Sequence, residues 1–344
     1  MKNKQHIGFG IVGTGMVAEF HARAIDQNTA LGAKLVAVST RDPAKFKTST
    51  NRFGVPCLSW EALCRHSEVQ VICICTPSGC HAAQTIEAAE AGKHVIVEKP
   101  MALTLTDADA MIDVCARTER LLAVVLQRRA VDLFQKIFRA ISAKDIGDIT
   151  AGLVGVPYHR PQAYYDQADW RGTWAADGGG VLMNQGIHLV DLMIWYMGDP
   201  VDISATAATC RHAIEVEDTL AARLRFENGA MGTILATTAA SPGFPHRVEI
   251  YGTKGGIQIE GETVIRWRLT NPGKAVVKPV ESQRLAGSGA GADPSGIDIA
   301  GHTNLIRNFI MALRNEASLL VDGPEGRRSL AAVLGVYEAA GIGN

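Results

Sequence analysis

This 344-residue chain has no run approaching about eighteen uninterrupted apolar residues, so no membrane-spanning helix is expected. It has no excess of either charge. Lys plus Arg number 34 against 35 Asp plus Glu, which leaves no strong field to draw nucleic acid or an anionic membrane. No C-x-x-C pair occurs, and the seven cysteines (Cys57, Cys64, Cys73, Cys75, Cys80, Cys115 and Cys210) are odd in number. Neither a disulfide framework nor a zinc or other metal site is therefore expected, and a reducing cytoplasm fits. Internal repeats and low-complexity tails are also missing. The opening MKNKQHIGFG carries lysines, but glycines break its apolar run at once, so it reads as a first strand and not as a signal peptide. These absences leave a soluble protein whose partner is a small molecule. With 47% hydrophobic and 20% charged residues, and length enough for two cores, the chain is an ordinary globular one.

The first third alternates short β-branched runs with amphipathic helical stretches, the pattern of a parallel sheet covered by helices. Residues 7–12, 34–39, 69–75, 94–98 and 121–127 read as strands. A helix is expected after Gly13, and another over 81–92 with Gly92 as its stop. A third should be capped by Thr104 or Thr106, with Asp107 or Asp109 three residues on, and run to Arg117. After Gln127 the texture changes. The runs DITAGLVGV, VDISATAATC, TLAARLRFENGAMGTILATT and RVEIYGTKGGIQIEG follow one another without helices between, with Asn228-Gly229 and Lys254-Gly255-Gly256 at turn positions. This predicts an α/β protein with one domain over 1–127 and a second α/β domain over 128–344, the latter built on a large open sheet, mixed or antiparallel. One helix is expected from Val181 to Tyr196, and helices return after His302. The Gly-, Ser-, Ala- and Pro-rich stretch from Pro272 to Ile299 reads as a long loop and candidate lid.

Gly13-Thr14-Gly15-Met16-Val17-Ala18 is G-x-G-x-x-A between an expected strand and an expected helix. The first glycine permits a tight turn, the second lets backbone approach a pyrophosphate, and the small third position lets helix pack on strand. The free N–H groups at the helix start then favour the anion. Strand two ends in Ser39-Thr40-Arg41-Asp42. Two hydroxyls and a guanidinium at this place suit a ribose 2′-phosphate and favour NADP over NAD, with Asp42 as the alternative that would serve NAD. Thr76-Pro77 and His81 lie on the same sheet edge, although a plain proline turn explains those letters equally well. Glu98-Lys99-Pro100 reads as a buried strand delivering a lysine to its end, held by a stiff turn; a surface salt bridge is the alternative.

Further on, Asn184, His188 and Asp191 fall at i, i+4 and i+7, one face of the 181–196 helix. A polar stripe on an apolar helix has to be paired within the fold or face a cleft. A satisfied core histidine is the competing reading for His188. Gly178-Gly179-Gly180 just before it would permit close approach of backbone to a ligand.

The N-terminal G-x-G-x-x-A, the E-K-P turn at 98–100, Trp170-Arg171 and GGGVLMNQGIH together resemble the Gfo/Idh/MocA family of oxidoreductases over nearly the whole chain. The resemblance implies a Rossmann dinucleotide-binding domain and an α/β domain whose open sheet makes oligomer contacts, in a homodimer or homotetramer. It also implies NAD(P)-linked oxidation or reduction of sugars or cyclitols. It makes Lys99 the lysine that touches nicotinamide ribose and substrate hydroxyl, and His188 the catalytic histidine. Trp170, Arg171, Gln127 and Glu98 then join the glycine turn, Thr14, Met16, Val17 and the 39–41 and 76–81 segments as cofactor-binding candidates. The family's usual aspartate four residues before the histidine is Asn184 here. An amide exchanges no proton at neutral pH, so Asn184 is expected to orient substrate. A narrower similarity, carried by Arg160-Pro161-x-x-Tyr164-Tyr165 and Trp170-Arg171-Gly172-Thr173-Trp174, is to nucleotide-sugar 3-dehydrogenases, which use NAD.

The expected chemistry is hydride transfer between a nicotinamide and a ring or carbonyl carbon of a sugar, nucleotide sugar or cyclitol. Loss of the hydroxyl proton calls for a base near the working pH, which a histidine is and a buried lysine can become. The substrate-binding candidates are Lys99, Arg160, Tyr165, Asn184, His188 and His302. The alternative is a non-redox member that uses its dinucleotide for sensing, or for hydrolysis or elimination through a transient keto intermediate.

Overall fold

The computed structural model describes residues 6–270 and 299–343, which divide into two units, 6–131 with 299–327 and 132–270 with 328–343. The chain opens with β1 (Ile7–Val12), α1 (Met16–Asp26) and β2 (Ala33–Ser39), followed by α2 (Phe46–Phe53), β3 (Cys57–Leu58) and α3 (Trp60–Arg65). Then come β4 (Val71–Ile74), α4 (His81–Glu90), β5 (His94–Val97), α5 (Leu105–Arg117) and β6 (Leu122–Val124). The six strands form one parallel sheet in the order β3-β2-β1-β4-β5-β6. Strands β1 and β4 are buried at every residue, as central strands covered on both faces must be. Because the order reverses between β1 and β4, the carboxyl ends of these two strands form the crevice where such sheets take ligands. The Thr104 hydroxyl accepts the Asp107 N–H at 3.0 Å and starts α5, as its sequence requires. Strand β3 and helices α2 and α3 have too little apolar pattern to stand out in the sequence.

In the second unit α6 (Asp132–Ser142) precedes β7 (Ile149–Pro157), and α7 (Gln162–Tyr165) lies in the segment that leads to α8 (Ile187–Met197). Strands β8 (Pro200–Ala208), β9 (Thr219–Phe226), β10 (Met231–Thr237), β11 (Arg247–Gly252), β12 (Gly255–Glu260) and β13 (Thr263–Leu269) complete a sheet in the order β13-β12-β11-β7-β10-β9-β8. The sheet is mixed: β7 and β10 run parallel and every other pair is antiparallel. Its strands alternate buried and exposed residues, and the buried face packs on α8, where the Met197 sulfur lies so close to Gly152 that a Cβ there would come within 2.4 Å of it. The other face is open, with Leu235 61% exposed. The Asn228-Gly229 turn stands where expected, whereas Gly255 and Gly256 are the first residues of β12 and not the turn itself.

The expected boundary, with everything after residue 127 in the second domain, differs from the structure. Residues 128–131 and 299–327 belong with the first unit. Helix α9 (Ala300–Leu313) places Leu305, Ile306, Phe309 and Ile310 in the same core as Phe9, Ile11, Ala18 and Ile25, and Asn28 Nδ2 donates to the Thr303 carbonyl at 3.0 Å. The chain leaves this unit again inside helix α10 (Gly323–Ala339). The expected loop and lid over 272–299 lies outside the described residues, except for Ile299.

Candidate active site

Strand β1 ends at Val12 and the chain turns sharply at Gly13, whose φ is +91°; a Cβ there would stand 2.4 Å from the Cys75 carbonyl oxygen. Only glycine fits such a turn. Gly15 precedes α1 without any side-chain cap, and the space where its Cβ would lie is open to 4 Å. Met16 beside it is exposed and Val17 half-buried. The acidic residue of the first helical turn, Glu19, is tied to Arg52 at 2.6 Å, and Arg52 also donates to the Thr14 carbonyl. The helix start therefore offers uncapped N–H groups to open space with its nearest carboxylate already paired. These residues fit a dinucleotide pyrophosphate.

At the end of β2 the expected trio separates. Ser39 is only 1% exposed, its hydroxyl enclosed without a hydrogen-bond partner, because the last residues of β2 are covered on both faces. Thr40 is half-buried and Arg41 exposed, so these two present the polar edge. Asp42 is occupied in accepting the Ala44 N–H at 3.0 Å. After β4, Thr76 donates to Gln84 Oε1 and Pro77 is half-buried. His81 does not face a ligand: it is buried, and its ring nitrogens lie 2.8 and 2.9 Å from the Pro100 and Thr76 carbonyl oxygens. Burial holds this ring below the ordinary histidine range. It is a brace between two turns of the crevice edge. Gln127 opens the segment after β6, half-buried, with its Oε1 enclosed and unpartnered.

The turn at Glu98-Lys99-Pro100 has a base that the sequence does not reveal. His21 Nε2 donates to Glu98 Oε1 at 3.0 Å, His302 Nε2 lies 3.6 Å from the same oxygen, and Glu98 Oε2 accepts the Lys99 backbone N–H at 3.2 Å. Burial would raise the Glu98 carboxyl, but hydrogen bonding and charge interaction with the two histidines outweigh it and hold the group well below its usual range. Burial holds the His21 ring below the ordinary histidine range, against the pull of the Glu98 carboxylate. His302 is thus a buried member of this cluster and not an open substrate contact. The three ligand atoms lie within 4.8 Å of one another, a spacing that would admit a metal ion. Metal-bound imidazoles, however, usually donate their second N–H to an acceptor, and the Nδ1 atoms of both rings are enclosed without partners. Lys99 itself is half-buried at the strand end.

In the second unit the informative segment runs from Arg160 to His188. Residues Val181–Gly186 form a π-helical turn before α8, so the even helical stripe expected for Asn184, His188 and Asp191 does not form. Asp191 is fully buried and accepts from the Ser329 hydroxyl at 2.6 Å, while Asn184 Nδ2 donates to Asp177 Oδ1 at 2.8 Å. His188 is half-buried. The glycines before the turn serve packing. A Cβ on Gly180 would come 1.7 Å from the Glu217 carbonyl oxygen. The Glu217 side chain accepts the Gly180 and Leu182 N–H groups and the Tyr337 hydroxyl, and burial pushes its carboxyl up to about 6.

Arg160, expected as a substrate contact, is 4% exposed, with its guanidinium carbon 5.6 and 5.5 Å from the Tyr158 and Tyr164 ring centres. Arg171 stands 4.4 Å from the Tyr164 ring and 4.7 Å from the Trp170 ring, and donates to the Tyr164 hydroxyl at 2.7 Å. Its Nε is enclosed without an acceptor, and it pairs with no carboxylate among the described residues. Tyr165 is a packing residue: it is buried, bonded to the Thr238 hydroxyl, and burial pushes its phenol up to about 12. Sequence reasoning missed His21, Asp177 and Glu217; only Asp177, directly before the three glycines, stood close enough to a motif to be noticed.

Residues 7–126 match the family model described as an oxidoreductase family with a NAD-binding Rossmann fold, and residues 134–258 match that of the GFO/IDH/MocA C-terminal domain. The WlbA dehydrogenase of Bordetella pertussis, solved in complex with NADH and UDP-GlcNAcA, is 33% identical over 98% of both chains, with a TM-score of 0.86. The inositol 2-dehydrogenase of Rhizobium meliloti (strain 1021) is 26% identical over 94% of each chain. The 1,5-anhydro-D-fructose reductase of Ensifer adhaerens is 26% identical over 97% of this chain and 96% of its own.

Proposed function

Because the chain belongs to the GFO/IDH/MocA family of NAD-binding oxidoreductases, we propose that it oxidises or reduces a ring carbon of an anionic sugar, a nucleotide sugar of the UDP-GlcNAcA kind. The observation that carries the choice of substrate is Arg171, a guanidinium held between two aromatic rings with an enclosed Nε and no carboxylate partner among the described residues. Such a group recognises a carboxylate or phosphate. The similarity to the WlbA dehydrogenase, whose structure holds UDP-GlcNAcA, supports the same reading.

The glycine turn and the α1 N-terminus would hold a dinucleotide by its pyrophosphate, and its nicotinamide would supply the hydride acceptor or donor. The chain's own residues manage the proton. His188 is assigned as acid and base for the reacting hydroxyl, since an imidazole changes charge near neutral pH. Lys99 orients that hydroxyl and stabilises negative charge on its oxygen. Thr40 and Arg41 set the choice between NAD and NADP. The open sheet face around Leu235 is assigned to self-association, and a sedimentation mass of a single chain would contradict this. The seven free thiols suit the cytoplasm, which cell fractionation checks.

The test is nicotinamide absorbance with UDP-GlcNAcA, inositols and free aldoses, each with NAD and with NADP. Net turnover is expected with the nucleotide sugar. Binding without net redox change would favour the sensing or elimination reading instead. Lys99→Ala and His188→Ala should each lower kcat by about 10²- to 10⁴-fold while dinucleotide affinity, read by fluorescence titration, stays near wild type. Near-normal turnover in either variant would remove it from the mechanism.

A further inference from the structure

The π-helical turn ahead of His188 starts without a cap of its own, since Gly180 has no side chain to supply one. Its first N–H groups, which no helical carbonyl can reach, are met from elsewhere in the same unit. Gly180 donates to Glu217 Oε2 at 2.8 Å, Val181 to the Glu217 carbonyl oxygen at 3.0 Å, Leu182 to Glu217 Oε1 at 2.9 Å and Met183 to the Tyr337 hydroxyl oxygen at 3.1 Å. The Tyr337 hydroxyl in turn donates to Glu217 Oε1 at 2.8 Å. Both side chains are buried, and the Tyr337 ring meets Trp174 edge to face at 5.6 Å. Three donors thus point at the two carboxylate oxygens, which suits the ionised group, an acceptor only. A proton on Glu217 makes one oxygen a donor that faces a donor.

We infer that, within the dehydrogenase reading that this role deepens, Glu217 is a positioning residue: ionised, it fixes residues 180–183 and so the entry of His188 into α8; protonated, it releases them and slows turnover. Tyr337 is the titratable group on α10 that faces it, and burial holds this phenol well above its usual range, so the hydroxyl stays a donor. The carboxylates on the flanking segments are turned to other partners. Glu215 accepts the Trp174 N–H, Asp218 the Cys210, Arg211 and His212 N–H groups, Asp177 the Gly172 N–H and the Asn184 amide, and Asp191 the Ser329 hydroxyl. On β9, Arg223 and Arg225 pair with Asp202. Of the donors to Glu217 only the Tyr337 hydroxyl can turn to accept, and its own proton then loses this acceptor. Protonation therefore acts on the ring that Trp174 touches.

Wild type, Glu217→Gln, Tyr337→Phe and Trp174→Phe test this across pH with UDP-GlcNAcA as substrate. The Gln variant sets an amide NH₂ against a donor, as protonated Glu217 would. Its kcat at neutral pH should fall by about 10- to 100-fold, as misplacement of a reacting group does, with dinucleotide affinity unchanged. Its kcat–pH profile should lose an ionisation near 6 that the wild type shows. Trp174 emission in the dinucleotide-free protein reads the same proton without turnover. It should titrate near 6 in wild type and in His188→Ala, and not in Glu217→Gln. Trp174→Phe removes the signal and so assigns it. Tyr337→Phe takes a donor from the carboxylate, and its kcat titration should move to higher pH. A purely structural role would lower the stability of Glu217→Gln and leave both titrations in place, which overturns the inference. So does a wild-type emission that is flat through this range, a result that needs no variant to fold. A wild type that titrates by emission but turns over no sugar overturns the dehydrogenase reading, and with it the consequence for the rate.

Discussion

Two buried glutamates, one in each unit, support the segments assigned to the chemistry, and their surroundings drive their proton affinities in opposite directions. Glu98 faces His21 and His302, basic rings whose hydrogen bonding and charge interaction outweigh burial and hold the carboxyl low. Glu217 accepts from neutral donors, among them the Gly180 and Leu182 N–H groups and the Tyr337 hydroxyl, and burial prevails, so its carboxyl rises to about 6. Both accept several hydrogen bonds. What separates them is whether a donor can also carry charge. The Lys99 turn is therefore braced by a permanent anion, and the turn ahead of His188 by a group that changes charge within reach of physiological pH.

The sharpest way to break this comparison is Glu98→Ala. It leaves the His21 and Lys99 N–H groups without their acceptor in a buried place, and should destabilise the protein by about 3 kcal/mol or more, read as a lowered denaturant midpoint. A change under about 1 kcal/mol would mean that the cluster is not a brace. A smaller effect follows from the opposite signs. Between about 4.5 and 6 the folded protein binds more protons at Glu217 than the unfolded chain does, so stability falls as pH rises through that window, by about 2 kcal/mol. Glu98, with its folded value depressed, contributes stability above its ordinary value near 4.5 that is lost as pH falls below it. Glu217→Gln should flatten the decline between 4.5 and 6 and leave the acid limb, which unfolding curves collected across pH will show or refute. The smallest expected effect concerns the exposed end of β2. Arg41→Ala should weaken NADP binding by about 10-fold, the worth of roughly 1.4 kcal/mol for one charge-assisted contact, with little change for NAD. Equal loss for both dinucleotides would remove Arg41 as the selector.

The parts of this protein that could be read from its letters are those in which neighbours along the chain do the work. The glycine turn after β1, the Thr104 cap of α5 and the Lys99-Pro100 strand end each need only a few consecutive residues, so their patterns survive intact in the fold. Asn184 and His188 were visible as a pair on one helix, but the stripe that included Asp191 failed, because a π-helical turn breaks the periodicity on which that reading depends. Ser39, His81, Tyr165 and His302 were drawn into the site by position or type. Burial withdrew them, and no local pattern records whether a polar side chain faces outward or into a gap between layers.

Sheet order, core membership and the electrostatics of the site have a different origin. His21 lies 77 positions from Glu98, and α9 reaches the core of the first unit from beyond the whole second sheet. Local patterning states which face of a strand or helix is apolar, and so set the α/β class, the dinucleotide turn and the lysine at the strand end. Which distant face covers each of them is a matter of packing and chain topology. That choice decided that Glu98 stays ionised, that Glu217 titrates near 6, and that Asp177 holds the amide of Asn184, since each depends on groups that only folding brings within hydrogen-bond reach.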